Sequence, residues 1–139
     1  MKNLFAVAAL LLACESAPAV QLMCPPFLET EQGSSQAPEG WSAVVSRAGK
    51  LPLVGANFTD GRPEQLADLK GESERRKGKI SVTTWNVEGM SPDGLWLYCR
   101  YLDTTVVLTQ RLPNGLKSCE MISTDDPAAA VPIKSIKCR

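Results

Sequence analysis

Five cysteines and no histidine limit the chemistry open to this chain. Without an imidazole, Ser-His and Cys-His dyads are excluded as engines of nucleophilic catalysis. A zinc site needs closely spaced ligand pairs, and no Cys-x-x-Cys occurs. Cys24, Cys99, Cys119 and Cys138 follow an apolar N-terminal run and read instead as two disulfides formed in an oxidising compartment. Among the carboxylates, Glu29 and Glu31 stand two apart, on one face of a strand. Paired acids of this kind could do acid/base work, but no partner groups or apolar cleft accompany them, and a solvated strand edge accounts for them. Asp60 lacks the acidic neighbours that a calcium site needs. The expectation is a chain with no catalytic residues, no cofactor and no metal.

The remaining question is what positions those sulfurs. The chain opens with one charge, Lys2, then an unbroken apolar run over residues 4–13 and small residues ending in Ala17-Pro18-Ala19. That is the layout of a secretory signal peptide, and a run of about ten residues is too short to span a bilayer core that needs roughly 20. Two processing routes compete. Cleavage after Ala19 uses an Ala-x-Ala site and is the expected one. The alternative reads Leu11-Leu12-Ala13-Cys14 as a lipobox, which makes Cys14 the candidate lipidation site and tethers the protein to a membrane. Either way Cys24, Cys99, Cys119 and Cys138 remain as four thiols. The expected organisation is a signal peptide over residues 1–19 and a single domain over residues 20–139, periplasmic or secreted, without a transmembrane segment.

The 139-residue chain has 15 basic and 15 acidic residues, and removal of residues 1–19 takes one of each. A formally neutral domain argues against nucleic acid or an anionic membrane surface as the main partner. It is also long enough for one core and not two.

The organising stretch is residues 95–115, LWLYCRYLDTTVVLTQRLPNG, where two runs with strand periodicity flank a polar turn. With Asp103 and Thr104 as the turn, Tyr101 faces Val106 and Cys99 faces Leu108. With Asn114 and Gly115 as a second turn, Gln110 faces Cys119 and Leu108 faces Met121. Alternation then puts Leu95, Leu97, Cys99, Tyr101, Val106, Leu108, Cys119 and Met121 on a buried side. Trp96, Tyr98 and Arg100 fall on the opposite side, together with Val107, Thr109 and Arg111. Further strands are expected at residues 27–31, an edge strand after Pro25-Pro26, at 41–47, at 51–58 with Gly55 loosening it, at 79–87 and at 131–138. Pro63 at a first helical position, with Leu66 and Leu69 three apart, predicts a short helix over residues 63–69. The charge run at residues 71–78, GESERRKG, predicts a mobile solvated loop. The fold class is therefore mainly β, with α+β as the alternative: a small antiparallel meander or sandwich with one short helix and two disulfides.

Three cysteine pairings exist. In the meander, Cys99 and Cys119 sit two strands apart, roughly 9 to 10 Å, beyond disulfide reach. The expected pairs are Cys24 with Cys99 and Cys119 with Cys138, the latter if residues 121 and 136 face each other. The alternative joins Cys24 to Cys138 in a rearranged sheet.

The signal peptide, Cys24-Pro25, Trp41, Phe58-x-Asp60-Gly61-x-Pro63, Trp96 with Cys99-x-Tyr101, Leu112-Pro113, Cys119 and Cys138 together resemble a family of small exported bacterial proteins of unknown function. The resemblance implies export and disulfides and supplies no catalytic residue. Function then rests on a non-enzymatic binding role toward an envelope or host protein. Trp96, Tyr98 and Arg100 are residue types favoured at binding hot spots, and they form the candidate binding face. The competing assignment covers them with a second layer as core. The alternatives are a lipid-anchored envelope component and an inhibitor of a host lysozyme-like hydrolase, although the Ser-Gly-x-x-Tyr loop of bacterial lysozyme inhibitors is absent.

Overall fold

A computed structural model of the chain describes residues 19–30, 38–39 and 49–139. The signal segment up to residue 18, Cys14 and the strand expected at 41–47 lie outside the described residues. The described chain forms nine strands: β1 Val20–Leu22, β2 Phe27–Thr30, β3 Gly49–Asp60, β4 Ser73–Lys77, β5 Ile80–Asn86, β6 Leu95–Tyr101, β7 Val107–Arg111, β8 Ser118–Thr124 and β9 Ile133–Cys138. They build two antiparallel sheets, one ordered β1-β9-β8-β5-β4 and the other β2-β3-β6-β7. The inward residues of both sheets merge into one core that includes Leu51, Phe58 and Leu97 from one and Trp85, Cys119 and Ile136 from the other. Phe58 on β3 meets Trp85 on β5 edge to face at 5.1 Å, so an aromatic pair joins the layers.

Period-2 alternation is clearest on β6, where Leu95, Leu97, Cys99 and Tyr101 are buried and Trp96, Tyr98 and Arg100 are not. The β6–β7 hairpin has the register expected from its turn, with Cys99 opposite Leu108 and Arg100 opposite Val107. Asp103 takes the left-handed conformation at φ 57° that such a turn demands. Val106 departs from expectation. It precedes β7 and is 49% exposed, because pairing ends at Val107 and the turn carries it out to solvent.

Three further expectations are corrected. The Pro113-Asn114-Gly115 turn does not fold β8 onto β7: β7 pairs with β6 alone, while β8 pairs with β5 and β9. Instead the chain crosses there from one sheet to the other, with Leu112 buried and its amide bonded to the Leu95 carbonyl. The helix expected at 63–69 is only a 3-10 turn, Pro63–Gln65, ended by Leu66 at φ 55°. Backbone pairing wins over helical propagation, because the Ala67 carbonyl accepts from Asp60 and the Leu69 amide donates to Phe58, which docks this segment on the end of β3. The charge run expected as a loop contains β4, paired residue by residue with β5 from Ser73 opposite Thr84 to Lys77 opposite Ile80. All five β4 residues are exposed, so no apolar alternation marked it as a strand.

The disulfides are Cys24–Cys99 and Cys119–Cys138, as expected. Met121 faces Ile136, and Cys119 faces Cys138 directly across the β8–β9 ladder. What keeps Cys99 from Cys119 is different from the meander argument: the two lie in opposite sheets. Cys24 sits where the chain leaves β1 in one sheet to enter β2 in the other. Its bond to β6 therefore fixes the N-terminal crossover to the middle of the four-stranded sheet.

Candidate functional site

The outward face of the four-stranded sheet can be built row by row from the ladder, since residues opposite each other project on the same side. Leu28, Leu51, Leu53, Leu97, Cys99 and Tyr101 point into the core, which leaves their strand neighbours facing outward. Thr59, Trp96 and Arg111 form one row, and Asn57, Tyr98 and Thr109 the next. Gly55, Arg100 and Val107 form a third. Phe27 faces Pro52, whose carbonyl accepts from the Leu102 amide at 3.0 Å, so these three form a fourth row at the hairpin end.

The expected trio Trp96, Tyr98 and Arg100 thus shares one face. Trp96 is half-buried, and its indole Nε1 donates to the Asp93 carbonyl at 3.0 Å. Tyr98 is half-buried, and its hydroxyl donates to Asp68 Oδ2 at 2.8 Å. Burial pushes the Tyr98 pKa up, the hydrogen bond and charge of Asp68 push it further, and Asn57 and Arg100 pull against them. Arg100 is exposed, and its guanidinium lies over Gly55. A methyl group at that glycine would stand 2.8 Å from one guanidinium nitrogen. The β3 ladder shifts register between Leu53 and Gly55, so a bulge sits beside this seat.

Sequence reasoning missed the apolar end of the face. Phe27 is 47% exposed and Leu102 40%, close to Val106 in the same hairpin turn. The signal was available in the turn chemistry at Asp103, which makes Leu102 a hairpin-end residue. It was hidden because apolar residues are assigned to the core by default. The other sheet's outward face carries a narrower apolar stripe, Ile80, Val82 and Ile122, of which only Ile80 counts among the exposed large hydrophobics. At one end of the molecule the β5–β6 and β7–β8 connections enclose a depression of about 530 Å³, lined by Met90, Pro92, Pro113 and Leu116 among others. The loop around it is held by Ser91, whose amide donates to Asp60 Oδ1 at 2.9 Å. Among the described residues no three of the His, Cys, Asp and Glu side chains gather as a metal-ligand set, and no helix is long and apolar enough to cross a membrane.

Residues 48–139 match the model of a family described as Type VI secretion system Tli immunity protein. The chain belongs to that family. The matched segment holds β3 to β9, hence three of the four strands of the sheet with the aromatic face, and the Cys119–Cys138 bridge. Cys24 and Phe27 lie before it, so the other disulfide ties a segment outside the match to β6 within it. A protein of Azospirillum brasilense, described as an uncharacterized 16.3 kDa protein in the trpG 5′ region, is 27% identical over 130 residues, covering 88% of this chain and 85% of its own length. No solved structure matches the chain. Family membership is compatible with the resemblance to small bacterial proteins of unknown function and is more specific than it, since the family is described as one of immunity proteins.

Proposed function

We propose that this protein is an exported, non-enzymatic immunity protein that binds a type VI secretion effector and blocks it outside the inner membrane, docking through the outward face of the four-stranded sheet. The family description supplies the partner class. The observation that carries the docking surface is the gathering on that face of Trp96, Tyr98 and Arg100 with exposed Phe27 and Leu102. Aromatic and arginine side chains beside exposed apolar surface make the usual centre of a protein interface. The opposite sheet offers no aromatic outward residue on β5, β8 or β9. Export is supported by the two disulfides and by the apolar N-terminal run with Ala17-Pro18-Ala19. The inhibitor alternative is kept in its coarse form in this reading, with a secreted effector in the place of a host lysozyme-like hydrolase.

The test is protection. The full chain, with its own N-terminus, is co-produced with each type VI effector of its native strain directed to the periplasm of a sensitive host, and survival is counted. Rescue from one effector, lost on Trp96→Ala with the protein still folded and accumulated, supports the reading. Rescue from none of them overturns it.

A further inference from the structure

We infer that Arg100 is the charged anchor of this face, and that it takes a carboxylate from an acidic side chain of the effector. The inference rests on the immunity reading and adds the chemistry of the partner. The other charged groups on the face are already engaged. Glu29 pairs with Lys50 at 3.5 Å, Asp68 accepts from Tyr98, and Arg111 donates to the Pro92 carbonyl. Arg100 has neither a hydrogen bond nor an ion pair among the described residues, its charge acting on the neighbouring Tyr98 hydroxyl, so a positive group without a carboxylate partner stands at the centre of the face. Its position is also prepared. The guanidinium rests on Gly55, a residue that is buried although it faces outward, because the arginine covers it.

This seating matters for affinity. A long side chain that must be ordered on binding loses rotamer freedom, and one already laid on the backbone loses less. The planar fork stays free to bind a carboxylate through two parallel hydrogen bonds. Half-buried Tyr98 and Val107 and the Phe27–Pro52–Leu102 row surround it. An incoming acid would thus meet apolar contacts on the Val107 and Phe27–Pro52–Leu102 sides, which exclude water and strengthen the charged pair, while the Tyr98 side carries the Asp68 carboxylate. An aspartate or glutamate flanked by apolar residues on the effector is the complementary surface.

The test uses purified wild-type chain and the effector identified by protection, with binding followed by calorimetry. Arg100→Ala should weaken binding roughly tenfold or more, and Arg100→Glu should weaken it further through repulsion. Arg75→Ala on β4 of the other sheet, which removes the same charge, should leave affinity unchanged. Gly55→Ala places a methyl group where the guanidinium lies, against the flexible end of a side chain. It should weaken binding in the wild type and add nothing in the Arg100→Ala background, a coupling that a simple loss of fold would not produce. Wild-type binding that Arg100→Ala and Arg100→Glu leave intact overturns this inference and spares the immunity reading. Failure of the wild type to bind any effector overturns both.

Discussion

The two disulfides close loops of different length, and that difference gives a quantitative prediction. The Cys24–Cys99 bond spans a sequence separation of 75 and the Cys119–Cys138 bond one of 19. In the chain-entropy model these correspond to about 4.5 and 3.2 kcal/mol of constraint on the unfolded chain. The loops do not overlap, so the two contributions should add to about 8 kcal/mol, a large fraction of a small domain's total stability. All four cysteines are buried, at 3%, 4%, 1% and 0% exposure, so the cost of trimming each pair to alanine nearly cancels in the comparison. The perturbation is paired replacement, Cys24→Ala with Cys99→Ala against Cys119→Ala with Cys138→Ala, which avoids free thiols that could reshuffle. Urea unfolding followed by tryptophan fluorescence reads the result. The first pair should lose about 1.2 kcal/mol more than the second, and the fourfold variant should fail to fold at 37 °C. A larger loss from the second pair would refute the loop argument and point instead to native packing around the β8–β9 bridge.

Phe58 is fully buried and holds Trp85 across the layers, so Phe58→Ala should cost about 3 to 5 kcal/mol; a loss under about 1 kcal/mol in urea would show that the two sheets are not joined there. Trp96→Ala should leave the unfolding midpoint nearly unchanged, because the indole is half-buried and its only hydrogen bond is to an exposed carbonyl. Collapse of the fold would place Trp96 in the core. Tyr98 holds its proton more tightly in the folded state, so its contribution is complete below the ordinary tyrosine pKa and is lost as pH rises through the folded value. Asp68→Asn should bring its absorbance titration part of the way back, with Tyr101, raised by burial alone, as the internal control. The Asp126 carboxyl is held below its ordinary range, first by Lys79 and then by the Ala128 amide. Its contribution is present above the unfolded value and fades as pH falls through the folded one. Lys79→Met should move its NMR titration upward, and an unmoved titration would dismiss the pair.

How much was legible depends on whether burial left a mark. On β6 the alternation of Leu95, Leu97, Cys99 and Tyr101 with Trp96, Tyr98 and Arg100 was readable because one face is buried and the other is not. The same parity placed Met121 opposite Ile136 and so paired Cys119 with Cys138. On β4 the sequence Ser73-Glu74-Arg75-Arg76-Lys77 carries no such signal, since every residue is exposed and only the ladder to β5 makes it a strand. The face was legible in its aromatic half. Its apolar half, Phe27, Pro52 and Leu102, comes from three distant segments that only strand pairing brings into one row.

Local rules acting within a few residues of each other determined the hairpin at Asp103, the strand character of most segments and the supply of sulfurs for two bridges. The tertiary structure decided which sheet each strand joins. At Pro113-Asn114-Gly115 the local chemistry permits a tight hairpin, yet β8 pairs with β5 and β9 because burying Cys119 and Met121 between those strands completes the second layer of the core. It also decided where Arg100 rests. The glycine beneath it lies on another strand, and a seat made by two strands is set by register, which no single segment encodes.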